Sequence, residues 1–307
     1  MKAAVIDIGT NTFHLLIAEG ANSKVNEILY KETIPVKLGE GGITKGKLTD
    51  AAIERGIDAL KKFSRIISGY EIENIKVIAT AAVRSASNGS DFIQRANDEA
   101  GLEIEVVNGD REAELIFMGV KQGLELGSQT SLIMDIGGGS VEFILCNSLG
   151  IQWKKSYPIG AAKLMAIYHR SDPINHAEIS DIQTYLDKVL QDLKKKCAKE
   201  KPQILIGSSG SFETFAELVH RKQNLKDIQP GETEYDINPK QFREIATELI
   251  QSTHKERLIN PGIIPVRVDM IVVSTIITLY ILDQLSLQKI KLSTYALKEG
   301  VLFELLK

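Results

Sequence analysis

Two short segments of this chain combine an acidic residue, a glycine-containing turn and hydroxyl side chains. Asp7-Ile8-Gly9-Thr10-Asn11-Thr12 and Asp135-Ile136-Gly137-Gly138-Gly139-Ser140 each follow an apolar run, and they lie about one domain length apart. Glycine adopts positive φ without a Cβ penalty, so successive backbone N–H groups can converge on one anion, above all on phosphate. Ordinary hairpin turns, with the Asp accepting from turn amides, are the alternative, and the repeat disfavours it. We predict phosphate contacts at Gly9, Thr10, Asn11, Thr12, Gly137, Gly138, Gly139 and Ser140.

An acidic residue beside each turn is unexpected, because Asp7 and Asp135 would repel a bare phosphate. A divalent cation held between acid and phosphate removes the repulsion. Magnesium uses few carboxylates, keeps several waters and accepts phosphate oxygens as its remaining ligands. The sequence therefore predicts Mg²⁺, or another divalent cation, as a cofactor.

Composition limits the alternatives. The chain has 307 residues, of which 43% are hydrophobic and 25% charged, and this suits two soluble domains. A net charge of −3 argues against general nucleic-acid binding, which needs clustered excess Lys and Arg. The two cysteines form no C-x-x-C pair, and no export signal is visible, so we expect a cytoplasmic protein. The longest apolar run, Met270 to Leu282, is too short to span a bilayer, and no membrane association is expected.

The order of predicted elements indicates the fold class. Strands near 3–8, 12–19 and 24–34 are followed by alternating helices and strands, and a similar pattern restarts near 131. We expect one long helix over 176–198 and a polar loop over 223–238 with a turn at Pro230-Gly231. The prediction is an α/β protein with two ribonuclease-H-like domains, each a mixed sheet with flanking helices.

Several segments spread nearly end to end along the chain carry motifs of one family. They are Asp7 to His14, Thr80 to Arg84, Gly109 to Val120, Asp135 to Glu142, Gly160-Ala161, Gly207 to Ser211, Arg267-Val268-Asp269 and Leu297 to Gly300. Together they resemble the exopolyphosphatase / guanosine pentaphosphate phosphohydrolase family, a branch of the superfamily of actin, sugar kinases and chaperone ATPases.

The resemblance implies removal of a terminal phosphate from polyphosphate, from guanosine pentaphosphate, or from both, in a cleft between two actin-like ATPase domains. It places the domains at 1–124 with a C-terminal helix at 295–307, and at 125–294. It also allows a homodimer. The sequence does not distinguish the two substrates.

The same resemblance implies roles for single residues. Glu112 matches the catalytic glutamate and suits a general base that activates water. Asp135 and Glu142 match an acidic pair that holds magnesium or positions the water, with Asp7 as an opposing metal ligand. Arg84 follows a strand end and suits a bidentate phosphate clamp. Further phosphate contacts are expected where a helix begins, at Gly207, Gly210 and Ser211.

Three features depart from the family pattern. Arg111 stands where relatives often carry a second acid, and Lys298 replaces a usual Arg, which puts a bidentate contact there in doubt. The sequence also lacks the helical C-terminal extension of longer relatives. We expect from this a preference for short chains or nucleotides over long polymers.

Two other functions compete with the hydrolase. One is an ATP-dependent kinase of the same superfamily, which would transfer phosphate to a small acceptor. The other is a non-catalytic sensor of alarmone nucleotides, which needs the turns but can dispense with Glu112.

Overall fold

The computed structural model describes residues 1–22, 24–223 and 231–307. These residues form two compact units. The first unit contains Met1–Gly119 and Ala296–Lys307, and the second contains Val120–Tyr295.

The first unit is built on a five-stranded mixed sheet. Its strands are β1 (Lys2–Ile8), β2 (Thr12–Ala21), β3 (Lys24–Pro35), β4 (Asn74–Ala79) and β5 (Ile104–Val106). Its helices are α1 (Asp50–Ile67), α2 (Ala81–Ser85), α3 (Gly89–Ala100), α4 (Gly109–Gly123), which runs four residues into the second unit, and α12 (Leu297–Leu305). The sheet order is β3-β2-β1-β4-β5, in which β1 pairs antiparallel with β2 and parallel with β4. The first three strands, which were predicted near 3–8, 12–19 and 24–34, form an antiparallel meander.

Local sequence explains where the principal helix of this unit begins and which face it buries. The Thr49 side chain accepts a hydrogen bond from the Ala52 amide, so it caps the first turn of α1. Ile57, Leu60 and Phe63 recur at helical spacing and are fully buried in the same core as β1 and β2.

Helix α12 packs against α4 through two glycines. A Cβ on Gly300 would overlap the Leu115 carbonyl, and a Cβ on Gly119 would overlap the Ala296 carbonyl. The two helix backbones therefore approach more closely than any larger residue would allow.

The second unit repeats the arrangement with one more strand. Its strands are β6 (Ser131–Ile136), β7 (Val141–Asn147), β8 (Gly150–Tyr157), β9 (Ile204–Ser208), β10 (Glu234–Ile237) and β11 (Ile290–Ser293). Its helices are α5 (Ala161–Tyr168), α6 (His176–Val189), α7 (Gln191–Glu200), α8 (Ser209–Lys222), α9 (Pro239–Gln251), α10 (His254–Ile259) and α11 (Ile271–Leu285). Read from β8, the order β8-β7-β6-β9-β11-β10 matches that of the first sheet, and β6 pairs antiparallel with β7 and parallel with β9. The predicted fold class is confirmed.

The predicted single helix over 176–198 is wrong. The chain leaves helical geometry at Leu190 (φ −98°, ψ 20°) and starts again as α7. Asp192, in the first turn of α7, accepts hydrogen bonds from Lys155 Nζ (2.5 Å) and from the Tyr157 hydroxyl (2.7 Å) on β8. These contacts connect the first turn of α7 to β8.

The predicted loop over 223–238 is wrong at 234–237, whereas Gly231 lies in a turn as predicted. Glu234–Ile237 forms β10, which pairs antiparallel with β11 at the sheet edge. The part of that prediction that falls on residues 224–230, including Pro230, lies outside the described residues. Among the described helices, none combines the length and the apolar character that crossing a bilayer requires.

Candidate active site

The first predicted turn joins β1 to β2 in the first unit. The Gly9 amide donates to the Thr12 carbonyl at 3.1 Å, which closes the turn. The Thr10 and Asn11 carbonyls accept hydrogen bonds from the amides of Gly39 (3.0 Å) and Lys37 (2.8 Å). Amides of the loop after β3 therefore satisfy these carbonyls and fix the backbone of the turn.

The second predicted turn has the same closure in the second unit. The Gly137 amide donates to the Ser140 carbonyl at 3.0 Å. The carbonyls of Gly137, Gly138 and Gly139 accept from the amides of Ala161, Lys163 and Gly160, at 2.9, 3.1 and 3.2 Å. A Cβ on Gly160 would overlap the backbone of residues 138–140, so the start of α5 presses directly on this turn.

Glu112 and Arg84 meet in the first unit. Asn108 caps α4, because its side chain accepts from the Arg111 amide at 2.8 Å and its carbonyl accepts from the Glu112 amide at 2.9 Å. The carboxylate of Glu112, whose side chain is 8% exposed, accepts a hydrogen bond from Arg84 Nη1 at 2.7 Å. The same Nη1 donates to the Val107 carbonyl at 2.9 Å. Two contacts thus fix the arginine, and the arginine orients the glutamate.

Asp135 and Glu142 lie opposite each other on β6 and β7 in the second unit. Both are buried, with 8% and 1% of their surface exposed. The Ser208 hydroxyl donates to Asp135 Oδ2 at 2.5 Å, and the Ser156 hydroxyl donates to Glu142 Oε1 at 2.6 Å. Two buried acids on adjacent strands, each oriented by a serine, form a compact set of oxygen donors.

Asp7 has a different partner. It lies opposite His14 on β2, and it is less buried than Asp135. Both ring nitrogens of His14 are hydrogen-bonded, Nε2 to Thr12 Oγ1 (2.9 Å) and Nδ1 to Thr33 Oγ1 (2.8 Å). His14 therefore supports the turn as a structural residue.

The acidic pair of the second unit has the oxygen donors that magnesium binds. Among residues 1–22, 24–223 and 231–307, no group of three or more His, Cys, Asp or Glu side chains is arranged to hold a metal ion. Magnesium does not require such a group, since it binds through one or two carboxylates together with water and phosphate oxygens. Asp135 and Glu142 meet that requirement within the second unit.

The predicted contacts at 207–211 lie where β9 passes into α8. Ser209 begins α8 with φ +69°, a left-handed conformation that is uncommon for serine, and its hydroxyl donates to the Ile136 carbonyl at 3.2 Å. A Cβ on Gly207 would overlap the Phe212 ring, so Gly207 is needed for packing. The buried Ser211 hydroxyl donates to Ser274 Oγ at 3.0 Å, which leaves the backbone of Ser211 as the group that could contact phosphate.

Sequence reasoning assigned no role to Arg267, yet the structure brings its side chain to this site. Its guanidinium lies where a Cβ on Gly210 would be, so Gly210 is required for this close approach. Burial lowers the pKa of Arg267, and the nearby carboxylates of Glu213 and Asp135 oppose that shift. Its Nε is buried and has no hydrogen-bond partner among the described residues. The motif Arg267-Val268-Asp269 was the available signal, but only folding brings it beside Gly210.

Arg111 on α4 and Lys298 on α12, which differ from the family pattern, form ion pairs within the first unit. Arg111 contacts Glu304 of α12 and Glu114 of α4, and these carboxylates, Glu304 first, raise the pKa of Arg111. Lys298 contacts Glu299 at 3.0 Å, and both side chains are largely buried. Arg111 therefore links α4 to α12.

Comparison with solved structures defines the class of protein. A crystal structure of an exopolyphosphatase from Cytophaga hutchinsonii superposes with a TM-score of 0.96 at 41% identity and covers 100% of this chain and 98% of that one. A structure of the Aquifex aeolicus PPX-GPPA enzyme superposes with a TM-score of 0.80 at 25% identity, covering 99% of both chains. The fold is thus the actin-like α/β arrangement of these enzymes.

The family follows from the sequence comparison. The model of the Ppx/GppA phosphatase family matches residues 16–307, and the chain belongs to this family. The predicted family is therefore confirmed, and the chain is a hydrolase of the exopolyphosphatase type. A bifunctional 3-dehydroquinate synthase/phosphatase from Fusobacterium nucleatum is 35% identical over 290 residues, which are 91% of this chain. The chain spans 43% of the length of that relative.

Proposed function

We propose that this protein releases terminal phosphate from linear polyphosphate, from guanosine pentaphosphate, or from both, by attack of water. The observation that carries the proposal is the buried Glu112 carboxylate, held by Arg84 at 2.7 Å at the start of α4. Family membership and the names of the similar structures support the reaction class.

Glu112 is the group we propose as general base. Its carboxylate would accept a proton from the water that attacks the terminal phosphorus, while the bond to the bridging oxygen breaks. Positioned proton transfer of this kind contributes about 10²–10⁴-fold in rate. Arg84 keeps the carboxylate in one orientation, because its Nη1 also donates to the Val107 carbonyl.

Asp135 and Glu142 are the residues we propose for magnesium. When bound, the ion would neutralise phosphate charge and orient the phosphoryl group for in-line attack. The Ser208 and Ser156 hydroxyls, which donate to Asp135 and Glu142, would hold one oxygen of each acid in place. Asp7 remains a predicted additional ligand.

Phosphate charge would be met by three further elements. Backbone amides of residues 10–12 and 138–140, and of the α8 start, are the proposed donors, since the Gly9 and Gly137 amides already close their turns. Arg267 adds a fixed cation beside Gly210. Phosphoryl transfer depends mainly on positioning and charge stabilisation, so amide and guanidinium groups suffice for this part of the work.

The decisive experiment measures phosphate release by the unaltered protein, by Glu112→Gln and by the control Glu114→Gln on the same helix. Substrates are long-chain polyphosphate, tripolyphosphate, guanosine pentaphosphate and ATP, with and without magnesium. We expect Glu112→Gln to lose about 10²–10⁴-fold in kcat while still binding substrate. Glu114→Gln should keep its activity.

Three results would contradict the proposal. Full activity in Glu112→Gln removes the general base. Tight nucleotide binding without phosphate release by the unaltered protein favours the sensor. Phosphate transferred from ATP to an added acceptor, with none released from polyphosphate, favours the kinase.

A further inference from the structure

The loop from Val36 to Leu48, between β3 and α1, carries two exposed lysines that the proposed reaction does not use. We call this segment the lysine loop. Lys45 and Lys47 flank Gly46, whose φ of 61° reverses the chain direction at the loop tip. Among the described residues, neither lysine takes part in an ion pair.

One end of the lysine loop is bonded to the first predicted phosphate-binding turn. The Lys37 amide donates to the Asn11 carbonyl at 2.8 Å, and the Gly39 amide donates to the Thr10 carbonyl at 3.0 Å. The loop therefore has a fixed position relative to that turn.

The other end is bonded to the segment that follows Arg84. The Ser87 amide donates to the Gly46 carbonyl at 2.8 Å, and a Cβ on Gly46 would lie 3.7 Å from the Ser85 carbonyl oxygen. The Asn88 side chain pairs with both backbone groups of Leu48, at 2.9 and 3.0 Å. Gly46 therefore lies beside Ser85, the residue after Arg84. Lys45 and Lys47 are the two sequence neighbours of Gly46.

The negative charges near these lysines are largely compensated. Glu40, the one acid of the loop, pairs with Arg55 at 2.9 Å, and Arg55 also donates to the Val36 and Lys37 carbonyls. Asp50 follows the loop in the first turn of α1, where the helix N-terminus favours a carboxylate. The loop therefore presents excess positive charge next to Arg84.

We propose that Lys45 and Lys47 bind substrate phosphate groups beyond the bond that is cleaved. This inference rests on the proposed function and names a subsite for it. The ligand is a flexible series of phosphates, either the continuing polyphosphate chain or the 3′-diphosphate of guanosine pentaphosphate. Lysine suits such a ligand, since its ammonium is a point charge that requires no fixed acceptor geometry. Because the contact is remote from the reacting phosphorus, it should act on KM and not on kcat.

The test compares Lys45→Gln/Lys47→Gln with the control Lys24→Gln/Arg65→Gln, which removes the same charge. Lys24 begins β3, and Arg65 lies in the last turn of α1, ~22 Å along the helix from Asp50 at 1.5 Å per residue. For long-chain polyphosphate we expect KM to rise about fivefold in the loop variant, as two exposed ion pairs predict, with kcat unchanged. Tripolyphosphate should be affected less. An equal rise for guanosine pentaphosphate would identify its 3′-diphosphate as a ligand of the same lysines.

Salt dependence gives a second readout. Each lost phosphate contact should reduce the slope of log KM against log salt by about 0.7, the value for flexible single-stranded polyanions. An equal effect on tripolyphosphate and long chains, or an equal effect in the control, would overturn the subsite. If the unaltered protein releases no phosphate, the proposed function fails. Equilibrium binding of long-chain polyphosphate to the two double variants then still decides whether the lysines bind phosphate.

Discussion

The two turns share one backbone design and differ in the charge beside it. In both, the glycine amide closes the turn on the carbonyl three residues later, at 3.1 and 3.0 Å. In both, the Asp strand lies between an antiparallel neighbour and a parallel one. The residue opposite Asp7 is His14, however, whereas the residue opposite Asp135 is Glu142.

This difference suggests a division of labour. Paired acids suit a divalent cation, because two carboxylates that share a buried site cost free energy unless positive charge compensates them. We therefore propose the second-unit turn as the magnesium site. For the first-unit turn, which has Glu112, Arg84 and the lysine loop in the same unit, we propose water activation and binding of substrate phosphates.

The largest expected effect is a difference in unfolding free energy between two glycine variants, one beside each turn. Gly160→Ala should cost about 3 kcal/mol or more of unfolding free energy, because its Cβ would overlap backbone that cannot move aside. Gly39→Ala should cost about 1 kcal/mol, since its Cβ would meet the Thr10 methyl at 2.6 Å and the Ile43 side chain at 3.2 Å. Urea unfolding of both variants measures the difference, and equal losses would contradict a second turn held more rigidly than the first.

The next effect concerns the metal. Glu142→Gln should raise the magnesium concentration for half-maximal activity at least about tenfold, as expected when a ligand or its orienting group is lost. His14→Gln should leave this concentration unchanged, because an amide can still bond to Thr12 and Thr33. Magnesium titrations of phosphate release decide the matter. If this magnesium concentration rose as much in the His14 variant as in the Glu142 variant, the proposed division between the turns would be wrong.

The smallest effect compares the hydroxyls that follow the parallel strands. The Ser208 hydroxyl donates to a buried carboxylate at 2.5 Å, whereas the Thr80 hydroxyl lies 3.5 Å from the Ile8 carbonyl. Ser208→Ala should therefore cost about 1.5 kcal/mol of unfolding free energy, and Thr80→Val clearly less. Thermal unfolding at fixed pH would show this order, and its reversal would mean that the Asp135 contact contributes little to stability.

Much of the fold was predictable because its signals are local. The repeated Asp-Ile-Gly segments, the alternation in the strands and the spacing of Ile57, Leu60 and Phe63 each depend on neighbours in sequence. The break at Leu190 was missed because it depends on Asp192 reaching β8, a contact that no periodicity records.

The same distinction applies to the site. Glu112 and Arg84 could be proposed from the family resemblance, and the structure joins them by a hydrogen bond that sequence could not give. The importance of Arg267 was missed because it depends on Gly210, far away in the chain, leaving room for a guanidinium. The position of the lysine loop could not be predicted either, since its bonds to residues 10, 11 and 87 are long-range.

The close packing of α4 and α12 at Gly119 and Gly300 has a consequence for biosynthesis. Residues 296–307 complete the first unit, but the ribosome adds them only after all of the second unit has been translated. Until then, α4, the helix that carries Glu112, lacks its contact with α12. This contact includes the ion pair between Arg111 and Glu304. The nascent chain therefore cannot complete the packing of its first unit before the second unit has been made, and its N-terminal part stays incompletely packed until the last helix is added.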